Sequence, residues 1–174
     1  KMTEYNLIFE TGDYAASIIL AEEINKSALK LKNRQYIQLS YQFLGECSYY
    51  MKNYESSAKY LELAEKYIDN TSETDRMLNL LLKTISKIDS TSPESSEKEL
   101  LKVYDYLSSI DSNYDRSIAG FYLAKCYQLN NPETCRKYLE TVFALSREKG
   151  YFSFLFREYI KSSSIFEFAG NKYK

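Results

Sequence analysis

Residues 41–64 read YQFLGECSYYMKNYESSAKYLELA, and no other stretch constrains the fold as strongly. The pair Leu44-Gly45 sits in an aromatic-rich helical segment. Lys52-Asn53-Tyr54 supplies a turn, and Leu61 and Ala64 lie on a second helical segment beyond it. Small residues are needed where two helices approach closely, and large ones where their surfaces interlock. The stretch is therefore laid out as a helix-turn-helix unit suited to stacking on copies of itself.

The rest of the chain repeats this rhythm. Thr11-Gly12-Asp13 ends a first helical fragment, and 14–31 follows with Ile18, Ala21, Ile24, Ala28 and Leu31 on one face. Asn33-Arg34 is a short break, and 36–51 and 54–68 form the pair just described. Asp69-Asn70-Thr71-Ser72 is a turn in which Ser72, with Asp75 three residues on, opens a helix over 74–88. Leu78, Leu81, Leu82, Ile85 and Ile88 give that helix an apolar stripe. The segment 89–96, DSTSPESS, is the most loop-like. Helices are then expected to about Ile110, over 115–129, over 132–149 with Pro132 as a first helical residue and Gly150 as its stop, and over 151–169. The second helix of each pair begins near Tyr14, Tyr54, Ser96 and Glu133, a period near 40 residues. No strand pattern competes, so the chain reads as an all-α solenoid of antiparallel helix hairpins.

Composition narrows the possible functions. Only 5 Gly and 2 Pro occur in 174 residues, too few for a β-sandwich or barrel, whereas 44% apolar residues suffice for a substantial core. Tyr, at 18, suits helix seams and half-exposed grooves because its ring packs while its hydroxyl stays wet. The net charge of −1 carries no general affinity for nucleic acid or for anionic lipid. No apolar run of the sequence reaches transmembrane length, and we expect neither a membrane span nor a signal peptide. Cys47, Cys126 and Cys135 are widely spaced and odd in number, and the chain has no His. We therefore expect free thiols, no metal, no cofactor and a cytoplasmic setting. The opening KMTEYNLIFETGDY and the apolar closing helix lead us to expect a single repeat domain over 1–174 that is a fragment of a longer protein.

The unit at 38–71 resembles the tetratricopeptide repeat (TPR). Leu44-Gly45 takes the Leu-Gly pair of the repeat's helix A, Tyr54 the aromatic at the turn, and Leu61 and Ala64 the large and small positions of helix B. Ser57 stands where Ala is usual. The unit at 117–149 carries Leu123-Ala124 and Tyr127 at matching positions, with a turn one residue short at Asn131-Pro132. The first unit keeps Gly12-Asp13-Tyr14, and 74–110 follows by period alone. The resemblance implies a right-handed superhelical stack of about four hairpins whose A helices line a concave groove. A second resemblance lies in LETVFALSREKGYFSFLFREY, from Leu139 to Tyr159, which is similar to a segment of MalT-like bacterial transcription activators. It rests on Gly150-Tyr151 and the Phe-rich run 154–156, and implies an effector-sensing or interaction segment of a large regulator.

Catalytic motifs are absent from the sequence: without His, acid-base, metal and thiol chemistry lose their usual partner, and no phosphate-binding or nucleophile-elbow motif occurs. No enzyme is expected and no catalytic residue is assigned. The leading reading is a module that binds a protein or peptide in the concave groove, with no nucleic-acid or membrane contact. The alternatives are the effector-sensing segment of a transcription regulator and an architectural spacer. By the resemblance, the groove consists of Gln42, Glu46, Tyr49 and Tyr50, then Asn79, Lys83 and Ser86, then Phe121, Lys125 and Gln128. Glu46 stands where carboxylate-clamping repeats carry Asn, which argues against that clamp. The final helix bears apolar groups on more than one face. One face, with Phe154, Ile165 and Phe168, is expected to lack a partner within the chain and to form a two-fold homodimer.

Overall fold

The computed structural model describes residues 1–89 and 96–170. Most of the segment 89–96 that reads as a loop therefore lies outside the described residues. Among those described there are ten helices and no strand. They are α1 (Met2–Glu10), α2 (Tyr14–Leu31), α3 (Arg34–Tyr50), α4 (Tyr54–Glu65), α5 (Glu73–Ile88), α6 (Glu97–Ser109), α7 (Asn113–Tyr127), α8 (Pro132–Lys149), α9 (Phe152–Lys161) and α10 (Ser164–Gly170). The chain divides into two compact units, Lys1–Ser90 and Thr91–Lys174.

The turns expected from sequence are explained by their hydrogen bonds. At the ends of α2, α3 and α6, Lys32, Lys52 and Asp111 adopt the left-handed conformation, with φ of 52°, 61° and 53°. The next residue donates its backbone N–H five residues back: Asn33 to Ala28, Asn53 to Ser48 and Ser112 to Leu107. This closes the open carbonyls of the helix end. Asn33 and Asn53 then cap the following helix with their side chains, and Ser112 takes the N-cap position of α7. Asn33 accepts from the Tyr36 N–H and Asn53 from the Ser56 N–H. The Ser72 hydroxyl accepts from the Asp75 N–H and donates to the Asp75 carboxylate at 2.6 Å, and Ser112 donates to Asp115 at 2.7 Å. Gly150, at φ 78°, closes α8, as its position after Lys149 predicts. The N-caps of α3, α5, α7 and α9 are Asn33, Ser72, Ser112 and Tyr151, 39 or 40 residues apart.

In the first unit consecutive helices pack on each other, and α3 also meets α5. Tyr5 of α1 stacks on Phe43 of α3 with ring centroids 4.0 Å apart and reaches Cys47 with its hydroxyl at 3.3 Å. α3 is thus enclosed by α1, α2, α4 and α5. Its Gly45 explains the close approach of α4: a Cβ there would lie 2.8 Å from Leu61, which is itself buried. Ala64 is fully buried beside it in sequence register.

In the second unit α7 holds the corresponding central place, packed by α6 and α8 and met by α9 through Phe154 and Glu158. The single helix expected over 151–169 is two helices. Ser162 is extended, at φ −155° and ψ 98°, and the Ser163 hydroxyl donates to the Glu167 carboxylate at 3.0 Å. Three consecutive serines compete for backbone hydrogen bonds, which favours a break over helix continuation.

Candidate functional site

The ten residues assigned to a groove fall into three sets. On α3, Gln42 and Tyr49 are buried, and Glu46 and Tyr50 are half-buried. Gln42 accepts from the Gln38 amide at 3.4 Å. Tyr49 donates to the Asp89 carboxylate at 2.6 Å and meets Tyr50 edge-on. Tyr50 stacks on Tyr14 with centroids 5.1 Å apart and contacts Phe9. These side chains hold the unit together, so the expected free face of α3 is largely a seam with its neighbours.

The α5 set faces α4. Asn79, which is buried, donates to the Leu61 carbonyl at 3.2 Å. Ser86 donates to the Ser57 hydroxyl at 3.2 Å, and Lys83 pairs with Glu65 at 2.6 Å. Ser57 and Ser86 thus satisfy each other across the seam where the repeat pattern has Ala. Lys83 and Ser86 also border a cleft of about 90 Å³ between these helices, completed by Tyr54, Ala58, Glu62 and Lys87.

The α7 set faces α9 and α10. Phe121 is 1% exposed and lies against Phe154 and Phe166, at centroid distances of 6.3 and 5.5 Å. Lys125 lies 5.0 Å from the Tyr122 ring centroid, and the Gln128 amide reaches the Ser164 carbonyl at 3.5 Å. Accessible positions among the ten are Glu46, Tyr50, Lys83, Lys125 and Gln128, each half-buried.

The expected uncovered face of the last helix is corrected. Phe154 and Ile165 are each 1% exposed, and Phe154 packs edge-on to Tyr114 and Phe121. Phe168 is half-buried under Arg136, whose guanidinium carbon is 5.2 Å from the ring centroid. Phe154 shares its face with Arg157, Glu158 and Lys161, at helical spacings of three, four and seven. A charged face normally points to water, and here it points inward. Tyr122 donates to the Glu158 carboxylate at 2.7 Å, and Lys161 approaches the other carboxylate oxygen at 3.9 Å. Arg157 reaches the Tyr114 hydroxyl at 3.4 Å. Burial pushes the Lys161 ammonium down to about 7. The sequence signal for this inversion is the stripe Phe152, Phe156 and Ile160, which runs down the opposite face at a spacing of four.

A second cleft, of about 290 Å³, lies between α8 and α10, with Leu139, Phe143 and Phe166 as apolar lining and Arg136 and Glu140 among its other residues. Cys47, Cys126 and Cys135 are free and buried, and burial raises their thiols to about 12, 11 and 11 respectively. Among the described residues no cluster of His, Cys, Asp and Glu is arranged to hold a metal ion, and no helix is long and apolar enough to cross a membrane. Comparison with protein-family models, with curated proteins and with solved structures gave no match.

Proposed function

We propose that the chain is a helical-repeat interaction module of the TPR type, a right-handed superhelical stack of hairpins that holds a peptide or a helix of another protein. The observation that carries this reading is the recurrent neighbourhood of alternate helices. α1 meets α3 through Tyr5 and Phe43, α3 meets α5, and α7 meets α9 through Phe121 and Phe154. Hairpins that place alternate helices side by side form layers, and layered hairpins present long surfaces for other chains. Half-buried polar and aromatic side chains suit recognition of an extended peptide. Of the assigned residues, Glu46, Tyr50, Lys83, Lys125 and Gln128 retain the exposure that contact requires. Buried thiols with raised affinity for their protons fit a reducing, cytoplasmic setting.

A second reading, the effector-sensing segment of a MalT-like transcription regulator, draws on the segment 139–159. It forms a helix, a left-handed Gly150 and a new helix, as that resemblance implies. The cleft between α8 and α10 adjoins it and is near the lower size limit for a small-molecule site.

Selection of displayed peptides on the immobilised 174-residue chain tests the first reading. A selected peptide should lose affinity with Lys83→Glu or Lys125→Glu while helicity is kept, and the sensitive substitution identifies the unit that binds. A folded chain that enriches no peptide, or a peptide indifferent to both substitutions, would remove this reading.

A further inference from the structure

The residues of α9 that face solvent are Phe152, Phe156, Tyr159 and Ile160, at 57, 65, 53 and 70% exposure. No exposed position on this helix is charged, because Arg157 and Glu158 are buried and the Lys161 side chain is 9% exposed. A helix with its charges inside and its aromatics outside contrasts with α8, whose exposed positions include Glu133, Arg136, Lys137, Glu140, Arg147, Glu148 and Lys149. The face is also held in place. Tyr159 packs edge-on to Phe166 of α10, and the charged side of α9 is anchored by the hydrogen bond from Tyr122 to Glu158.

We propose that this face pairs with the same face of a second copy of the chain, α9 against α9 in antiparallel order about a two-fold axis at Phe156. Three observations select this occupant. The spacing is symmetric: with Phe156 on the axis, Phe152 of one copy meets Ile160 of the other and Phe156 meets its own copy, while Tyr159 comes opposite the small Ser153. The area suffices. At these exposures, aromatic and aliphatic side chains expose roughly 500 Å² per copy, and a pair covers about 1,000 Å², the floor for a specific interface. Charge then sets the alternatives aside. A helix lying on a lipid surface turns lysine and arginine toward the headgroups, whereas α9 turns Arg157 and Lys161 into the protein. An acidic or basic peptide would find no counter-charge on this face. The homodimer expected from the sequence thus keeps its place on the C-terminal region but uses Phe152, Phe156, Tyr159 and Ile160 in place of Phe154, Ile165 and Phe168.

Sedimentation velocity over a wide concentration series on the 174-residue chain tests the pairing. The unaltered chain should pass from monomer to dimer, and Phe156→Glu should remain monomeric with an unchanged helical spectrum. Phe156→Cys should form an intermolecular disulfide on mild oxidation, because the axis brings the two sulfurs together, while Lys137→Cys on α8 should not. The three native thiols are buried and serve as an internal blank. A chain that stays monomeric throughout, or a dimer that survives Phe156→Glu, overturns the proposal. So does a monomer that binds phosphatidylcholine–phosphatidylglycerol vesicles through Phe156.

Discussion

The two units are built around one four-residue pattern, Leu, a small residue, a charged residue and Cys, and use it differently. α3 carries Leu44-Gly45-Glu46-Cys47 and α7 carries Leu123-Ala124-Lys125-Cys126, and in both the Leu and Cys are buried. In the first unit the tightest approach lies within this motif, where Gly45 admits Leu61. In the second, Ala124 fills the equivalent position and the tight point moves one turn earlier. There a Cβ on Gly120 would meet Val142 at 3.1 Å and Tyr104 at 3.2 Å. The next helix along also differs. Against α3, α5 offers Asn79 and Ser86 to α4, neutral groups that donate to a carbonyl and a hydroxyl. Against α7, α9 offers a buried carboxylate, guanidinium and ammonium. One hairpin plan therefore tolerates either polarity inside, with each of these side chains holding at least one polar partner.

The largest expected effect probes the inverted helix. Phe154→Ala should destabilise the second unit by about 3–5 kcal/mol, as deletion of a buried ring does, whereas Phe152→Ala should change its stability by less than about 0.5 kcal/mol. Denaturant melts of dilute samples measure both, and equal effects would restore an outward-facing Phe154.

Glycine comes next. Gly45→Ala should cost about 1–2 kcal/mol, because the added Cβ would meet Cγ of the buried Leu61 as well as its tip, and Ala64→Leu about 1–3 kcal/mol in the same seam. Gly120→Ala should be close to neutral, since a gain in helix propensity of about 1 kcal/mol offsets shifts of a few tenths of an ångström in Val142 and Tyr104. A larger loss at Gly120 than at Gly45, read by thermal unfolding, would reverse the contrast between the units.

The smallest effect is a pH slope specific to the second unit. The folded affinity of Lys161 for its proton is lowered from 10.5 to about 7, so between these values the unfolded chain binds the extra proton. Stability should rise as pH goes from 7 toward 8.5 and flatten below 7, where Lys161 is charged in both states. Nearer pH 9 the buried Cys126 and Cys135 thiols, which hold their protons on folding, act in the opposite sense. Lys161→Met should remove the slope. Chemical denaturation at pH 6, 7 and 8.5 would show it, and an unchanged slope in the variant would mean that Lys161 is solvated.

What the sequence discloses about this fold is mostly punctuation. Asn33, Asn53, Ser72, Pro132 and Gly150 mark helix ends because cap chemistry is local, and the helices they bound start within one or two residues of expectation. Facing is a tertiary property and was harder to read. α3 and α7 are enclosed on nearly all sides, so the polarity or size of Gln42, Tyr49 and Phe121 serves seams and not a free face. On α9 the charges turn inward, because Tyr122, thirty-six residues from Glu158, supplies a hydrogen bond that no local pattern shows. The serine run at 162–164, between apolar runs on either side, is the local signal for the break between α9 and α10.

The connectors after α2, α3 and α6 each end in one left-handed residue followed by one residue at the N-cap of the next helix, Lys32-Asn33, Lys52-Asn53 and Asp111-Ser112. A helix advances about 100° of rotation per residue. Each connector therefore acts as a phase lock: it sets the angle at which the next helix presents its side chains, whatever those side chains are. Exchanging Lys52 for another residue leaves the phase intact, whereas one residue inserted there would swing Leu61 away from Gly45 by about a quarter turn or more. Connector length, more than any single contact, is what this architecture must keep as its sequence drifts.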